Sequence, residues 1–224
     1  MAKRKLQRFS EVDSFSNVVQ HLQTGEVLSA NPLQGKWREV FLKNNNPIVV
    51  ELGCGKGEYT VGMAQANPNK NYIGLDLKGN RIWRGAKTAL ENKMQNVGFV
   101  RTRIENIETV FGAEEVDEIW ITFPDPQPQL SREKKRLTSP PFLARYRKIL
   151  KKGGLIQLKT DNAPFYEYTL QVIKENNLEL LDHTSDLYAD TSERLPWLKN
   201  IQTHYEKIFT AKGFKICYTQ FKIH

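Results

Sequence analysis

The sequence predicts an α/β fold: a mainly parallel, seven-stranded sheet with helices on both faces and a C-terminal antiparallel strand. Three observations carry that expectation. Short apolar runs of strand length alternate with stretches whose apolar residues recur at helical spacing, as a parallel sheet with crossover helices requires. The first of these runs, Ile48-Val49-Val50-Glu51-Leu52, ends in a turn with glycines at alternate positions, Gly53, Gly55 and Gly57. The last two, 178–184 and 214–221, read as a closing antiparallel pair on either side of a long polar connection, 185–205.

Taken in order, residues 1–30 contain the bases Lys3, Arg4, Lys5 and Arg8 with little apolar periodicity, and are expected to be a mobile basic arm plus a capping segment. A disordered tail and a nucleic-acid contact both fit that arm. The main domain is expected over 31–224. Asn31-Pro32-Leu33-Gln34-Gly35-Lys36 turns into a short helix, 37–42, which Asn44-Asn45-Asn46-Pro47 ends. After the first strand a helix over 58–66 stops at Asn67-Pro68, a strand over 71–76 follows, and Ile82, Ala86, Ala89 and Leu90 mark a helix over 79–92. Strands are expected over 97–101 and 117–123. Ser139 then caps a helix with Pro140 at its first position; Phe142, Leu143, Tyr146, Ile149 and Leu150 line one face, and Gly153-Gly154 closes it. A strand over 155–159 and a helix over 164–175 complete the alternation.

A chain of 224 residues with 39% hydrophobic content can bury one sizeable core. Two cysteines, Cys54 and Cys217, make neither a disulfide framework nor metal spacing, and the four histidines are scattered, so a metal-free protein of the reducing cytoplasm is expected. No run is apolar and long enough for a membrane span, and no signal-peptide core follows Met1. Lys and Arg number 33 against 25 acids, an excess of +8. Between Gln129 and Lys152 stand nine bases and the single acid Glu133, which equals the whole excess. One segment holding all of it favours a polyanionic partner, with nucleic-acid phosphates first among them.

The glycine spacing is G-x-G-x-G, unlike the G-x-G-x-x-G of dinucleotide sites, and Glu51 stands two residues before the first glycine. An acid there disfavours phosphate and suits a cation; S-adenosylmethionine brings an ammonium and a sulfonium. Asp76 ends the next strand where a ribose diol would lie, and its carboxylate can accept both hydroxyl hydrogens. This pairing resembles the class I methyltransferases.

At Phe123-Pro124-Asp125-Pro126-Gln127-Pro128, followed by Lys134-Lys135-Arg136-Leu137, the chain resembles the bacterial tRNA (guanine-N7)-methyltransferases, whose signature is Pro-Asp-Pro-Trp-Pro with a basic tail. Gly35-Lys36-Trp37, Tyr72-Ile73-Gly74, Lys159-Thr160-Asp161-Asn162 and Thr203-His204-Tyr205-Glu206 fit the same pattern in order, so the likeness runs from about residue 30 to the end. It implies a Rossmann-like class I fold, S-adenosylmethionine as cofactor, and tRNA as partner. The implied target is N7 of the variable-loop guanosine at tRNA position 46, modified by a monomer or homodimer. By resemblance Glu51, Gly53, Gly55, Gly57 and Asp76 serve the cofactor, Asp125 serves cofactor and guanine, and Gln129, Asp161, Thr203 and Glu206 serve the RNA. Lys134, Lys135 and Arg136 are assigned to phosphates. Three positions depart from the pattern: Gln127 replaces the signature tryptophan, Gln129 a lysine, and Arg103 an aspartate that meets the adenine. Glu105 or the backbone around Ile104 is placed to take over that last role.

Guanine N7 carries a lone pair and no proton, so attack on a sulfonium methyl needs positioning and no general base. Asp125 is the expected catalytic residue, offsetting positive charge as it appears on the guanine. It could equally accept from guanine N1 and N2, or simply turn the chain between two prolines. Asp161 could instead cap the helix that follows, and Thr203 with Glu206 could be a capping pair. A methyltransferase of another RNA base, and an RNA-binding relative without activity, would share most of these residues.

Overall fold

The computed structural model describes residues 2–22, 29–192 and 198–223. Among them eight strands form one sheet: β1 (Val18–Gln20), β2 (Ile48–Leu52), β3 (Asn71–Asp76), β4 (Val97–Arg101), β5 (Val116–Thr122), β6 (Leu150–Thr160), β7 (Glu179–Thr184) and β8 (Cys217–Lys222). Their order is β1-β4-β3-β2-β5-β6-β8-β7, parallel except where β8 runs antiparallel to β6 and β7. The helices are α1 (Ala2–Asp13), α2 (Glu58–Ala66), α3 (Gly79–Glu91), α4 (Ile107–Val110), α5 (Pro140–Ile149), α6 (Ala163–Glu175) and α7 (His204–Ala211). Trp37–Leu42 forms a π-helical segment; Ile104–Asn106 and Leu130–Lys135 are 3-10 turns.

Every residue of β2 is buried, and the two-residue strand period divides them between two cores. Ile48, Val50 and Leu52 pack with Ile107, Phe142, Tyr146 and Phe165, from α4, α5 and α6. Val49 faces the other way, with Tyr59 and Met63 of α2 and Ile82 and Ala86 of α3. Fully burying one such side chain contributes about 1.5–3 kcal/mol, which is why long apolar runs become central strands. Glu51, on the Val49 side, is the exception within this run and therefore costs stability.

β2 leads on one side to β3 and β4, and β5 on its other side leads to β6. Chain order reverses between β2 and β5, and in open α/β sheets the crevice beyond the carboxyl ends of such strands is where ligands bind. Those ends are Glu51-Leu52-Gly53 and Ile121-Thr122-Phe123, held in register by Glu51 opposite Trp120 and Leu52 opposite Ile121.

The structure corrects the sequence reading in several places. The sheet has eight strands, not seven, because Val18–Gln20 pairs with β4. Residues 2–13 of the expected arm form α1, whose Val12 is buried and whose Phe9 lies 4.9 Å below the Arg101 guanidinium. The helix before β6 ends at Ile149, and Gly153-Gly154 lies inside the strand: Val116 pairs with Leu150 and Glu118 with Leu155, a bulge that Gly153 permits at φ +75°. Ser139 sits at the α5 cap, but its hydroxyl donates to the Lys134 carbonyl at 3.1 Å and caps nothing. α7 lies partly within the expected polar connection, which also buries Leu187 and Leu198. Among the described residues no helix is long and apolar enough to cross a membrane.

Candidate active site

The Gly-rich turn between β2 and α2 runs in the left-handed region at Gly53 (φ +71°) and Gly55 (φ +56°). A Cβ at Gly53 would meet nothing within 4 Å, and one at Gly55 would meet only the Gly53 carbonyl at 4.0 Å. Both glycines therefore border open space into which a ligand can come against bare backbone. Gly57 has a different job: a Cβ there would stand 2.7 Å from the Phe99 ring and 3.1 Å from Gly85 Cα, so it packs α2 against α3 and β4.

Glu51 projects from the end of β2 beside this turn and is 2% exposed. It accepts hydrogen bonds from the hydroxyls of Thr60 on α2 and Thr122 at the end of β5. Burial, the largest influence, pushes its carboxyl up to about 7, and the two threonine hydroxyls pull it part of the way back. Asp76 ends β3 and is buried; its Oδ2 accepts from Gly55 N at 2.9 Å and its Oδ1 from Lys78 N at 2.7 Å. These bonds tie the β3 end to the glycine turn. The cavity over the turn is lined by Glu51, Gly53, Gly55, Thr122, Thr203 and Tyr205, with Lys56 and Arg81 at its edge.

A second cavity adjoins it, bounded by Phe123, Pro124, Asp125, Asp161, Tyr205 and Phe209. Phe123 and Tyr205 border both. The loop after β5 is strained: Phe123 and Gln127 hold φ of +48° and +45°, unusual for residues with side chains, and they bracket Asp125. The exposed Asp125 lines this cavity and accepts from Gln127 N at 3.1 Å through Oδ1, a turn bond that leaves the other oxygen uncommitted to that bond. Asp161 does not cap α6; Asn162 does, accepting from Phe165 N at 2.8 Å, and Asp161 lines the same cavity as Asp125.

Thr203 and Glu206 do form a capping box at the start of α7: Glu206 N donates to Thr203 Oγ1 at 3.1 Å and Thr203 N to Glu206 Oε2 at 3.4 Å. Glu206 is fully buried and its carboxylate is engaged, by Lys159 at 2.6 Å and by the Tyr188 hydroxyl at 2.7 Å. It therefore holds the segment in place and presents nothing to RNA, a correction to its assignment as a substrate contact. Thr203 lines the cavity over the glycine turn. Exposed Arg103 and Glu105 flank half-buried Ile104 beyond the end of β4, two strands from β2. Exposed Lys134 and Lys135 lie on the 3-10 turn whose flank is the exposed Gln129. Arg136 is set apart from them: its Nε donates to the Gln127 carbonyl at 3.2 Å and its guanidinium lies 4.3 Å over the Tyr168 ring, so it braces the strained loop.

Tyr205 and Lys159 stand inside segments that fit the resembled pattern but carry no role of their own there, and Thr60 and Thr122 lie outside those segments. Thr122 has a signal in its place at the end of a central strand; Thr60 has none.

A family model described as "Putative methyltransferase" matches residues 45–219. The chain is 49% identical over 222 residues to the tRNA (guanine-N(7)-)-methyltransferase of Christiangramia forsetii, an alignment covering 99% of each chain. It is 43% identical to the protein of that name from Bacteroides thetaiotaomicron, covering 100% of this chain and 87% of that one. Among solved structures the 16S rRNA methyltransferase KamB superposes with a TM-score of 0.64 at 15% identity over 91% of this chain and 98% of that one, a likeness of fold. With near-complete identity coverage at 49% and a methyltransferase model matched over most of its length, the chain belongs to the tRNA (guanine-N(7)-)-methyltransferase family.

Proposed function

We propose that this protein transfers the methyl group of S-adenosylmethionine to N7 of a guanine in tRNA, the variable-loop guanosine at tRNA position 46. The observation that carries the reading is the junction of two cavities: one built on Glu51, Gly53 and Gly55, the other on Asp125 and Asp161, sharing Phe123 and Tyr205. The residues present fit S-adenosylmethionine. Glu51 is a buried carboxylate lacking a cation among the described residues, and the glycine turn leaves open space over bare backbone at Gly53 and Gly55. When bound, S-adenosylmethionine supplies an electrophilic methyl on a sulfonium.

Glu51 takes its ammonium, Asp76 its ribose hydroxyls, and the segment from Arg103 through Ile104 to Glu105 its adenine edge. Asp125, at the mouth of the second cavity, accepts from the guanine's N1 and N2 donors and offsets the positive charge that the imidazole ring gains. Asp161 gives that pocket a second carboxylate, and Thr203 with Tyr205 closes the wall between the two reactants. Holding both reactants collinear supplies most of the acceleration, because N7 has no proton to remove. Lys134, Lys135 and Gln129 lie where phosphates and sugars of the substrate pass.

The test uses unmodified tRNA transcript, labelled S-adenosylmethionine and purified protein, followed by borohydride reduction and aniline cleavage, which cuts the strand at 7-methylguanosine. One cut in the variable loop is expected. Label without a cut would move the reaction to another atom and overturn the assignment to N7. Asp125→Asn keeps the Oδ1 bond from Gln127 N and removes the charge. It is expected to lower kcat about 10²-fold with S-adenosylmethionine binding retained; unchanged turnover would reduce Asp125 to a turn residue.

A further inference from the structure

A third cavity lies on the opposite flank of the cofactor turn from Lys134 and Lys135, lined by Arg8, Lys56, Asn80, Arg81, Trp83 and Arg84. Lys56 and Arg81 also line the Glu51 cavity, so the two cavities are neighbours. Asn80, Trp83, Arg84 and Lys87 recur at helical spacing on α3, and Arg8 reaches them from α1. Trp83 organises the group. Its ring lies under the Arg8 guanidinium at 4.5 Å and the Lys87 ammonium at 5.0 Å, while its Nε1–H donates to Glu11 at 2.6 Å. Arg8, Lys56, Arg81 and Arg84 are exposed, and none of the four is ion-paired among the described residues. The acids nearby are Glu11, engaged by Trp83, and Glu58 at the start of α2. Five cations thus stand against two carboxylates, and like charges so placed repel one another until a polyanion arrives.

We propose that this α1–α3 face is a second RNA-phosphate surface, which with Lys134 and Lys135 holds the substrate strand on both sides of the reacting nucleotide. The inference rests on the tRNA reading above and extends it to residues outside the reaction centre. Strand order supports it: α3 follows β3 on one side of β2, whereas the Lys134 turn follows β5 on the other. A chain of phosphates crossing the cavity mouth meets both. Trp83 already holds Arg8 and Lys87 against its ring, so its part is to orient those two cations. The contribution is therefore charge without sequence preference.

The test compares wild type, Arg8→Gln/Arg84→Gln, and Lys174→Gln as a charge control on α6, measuring tRNA binding by filter retention across a salt series together with steady-state methylation. Loss of two phosphate contacts should flatten the slope of log affinity against log salt by about 1.5. The tRNA KM should rise several-fold with S-adenosylmethionine affinity and kcat near wild type, and Lys174→Gln should leave the slope unchanged. If losing the Arg8 contact unfolds α1, Arg84→Gln alone, with its fold checked by circular dichroism, should give about half that change. An unchanged slope in folded variants, or an equal change in Lys174→Gln, overturns the proposal. A wild type that binds tRNA with a steep slope yet makes no 7-methylguanosine overturns the functional reading and leaves this surface standing.

Discussion

Glu51→Gln should weaken S-adenosylmethionine binding by about 10²-fold or more, because it removes one partner of a charge pair formed in a dry site. The wild-type enzyme should show the same dependence through pH. Its Glu51 carboxyl titrates at about 7 under the pressure of burial, so below that value the protein must give up a proton before it can meet an ammonium. Affinity should fall toward tenfold per pH unit on the acid side of about 7, and the variant should lack that dependence. Stability without cofactor should move oppositely. Folding raises this group above its ordinary 4.5, so between there and about 7 the folded chain keeps a proton that the unfolded chain has released. Wild-type stability therefore declines as pH rises through that window and stays lower above it, by on the order of 3 kcal/mol at most. Glu51→Gln should gain stability relative to wild type between about pH 5 and about pH 8. Calorimetric titration with the cofactor and urea unfolding without it read the two effects; wild-type affinity that ignores pH would remove Glu51 from the ammonium site.

Both halves of that prediction come from a residue the sequence exposes plainly, since an acid closing an otherwise apolar central run has no packing reason to be there. The strands β2 to β5 were legible for a related reason: each carries a short, mostly apolar run, 48–50, 72–75, 97–100 and 119–121, that ends up fully buried. β1 was not, because three residues paired along one edge carry no periodicity. α7 was masked by its surroundings; Leu187 and Leu198 are isolated apolar residues in polar sequence, and only the fold shows that both are fully buried. The Thr203–Glu206 spacing did signal a helix start, but spacing alone does not reveal that Glu206 faces inward. For Asp161 the neighbouring Asn162 decided the matter, since one of two adjacent residues able to cap took the helix and left the other at the cavity. Arg136 looked like its lysine neighbours until the Tyr168 ring and the Gln127 carbonyl gave it a place in the loop. Lys159 stands in a segment that fits the family pattern, but its burial was not legible, because lysine is almost never fully buried and nothing local announces its partner.

That partner makes Lys159 the source of the largest expected loss of stability. Its ammonium has no solvent exposure, lies 2.6 Å from Glu206, and donates to the carbonyls of Leu198 at 2.9 Å and Ile201 at 3.4 Å. Burial pulls the lysine below its usual range and Glu206 opposes that pull. Lys159→Met leaves the Glu206 carboxylate in the interior with hydrogen bonds from Tyr188 and Thr203 but no counter-charge, which should cost about 3–5 kcal/mol. Lys159→Met/Glu206→Leu removes both charges and should recover part of that loss, since an apolar pair owes no desolvation. Urea unfolding of the wild type, both single variants and the double variant measures the coupling; a Lys159→Met cost under about 1 kcal/mol would mean the pair behaves as a solvated one. The consequence for function follows from what the pair holds. It ties the end of β6 to the chain entering α7, and that chain carries Thr203 and Tyr205 into the two cavities. At a temperature where Lys159→Met stays folded, cofactor affinity should therefore drop several-fold although the residue touches no ligand. Lost stability with full affinity would show that the cavity wall keeps its shape without the ion pair beneath it.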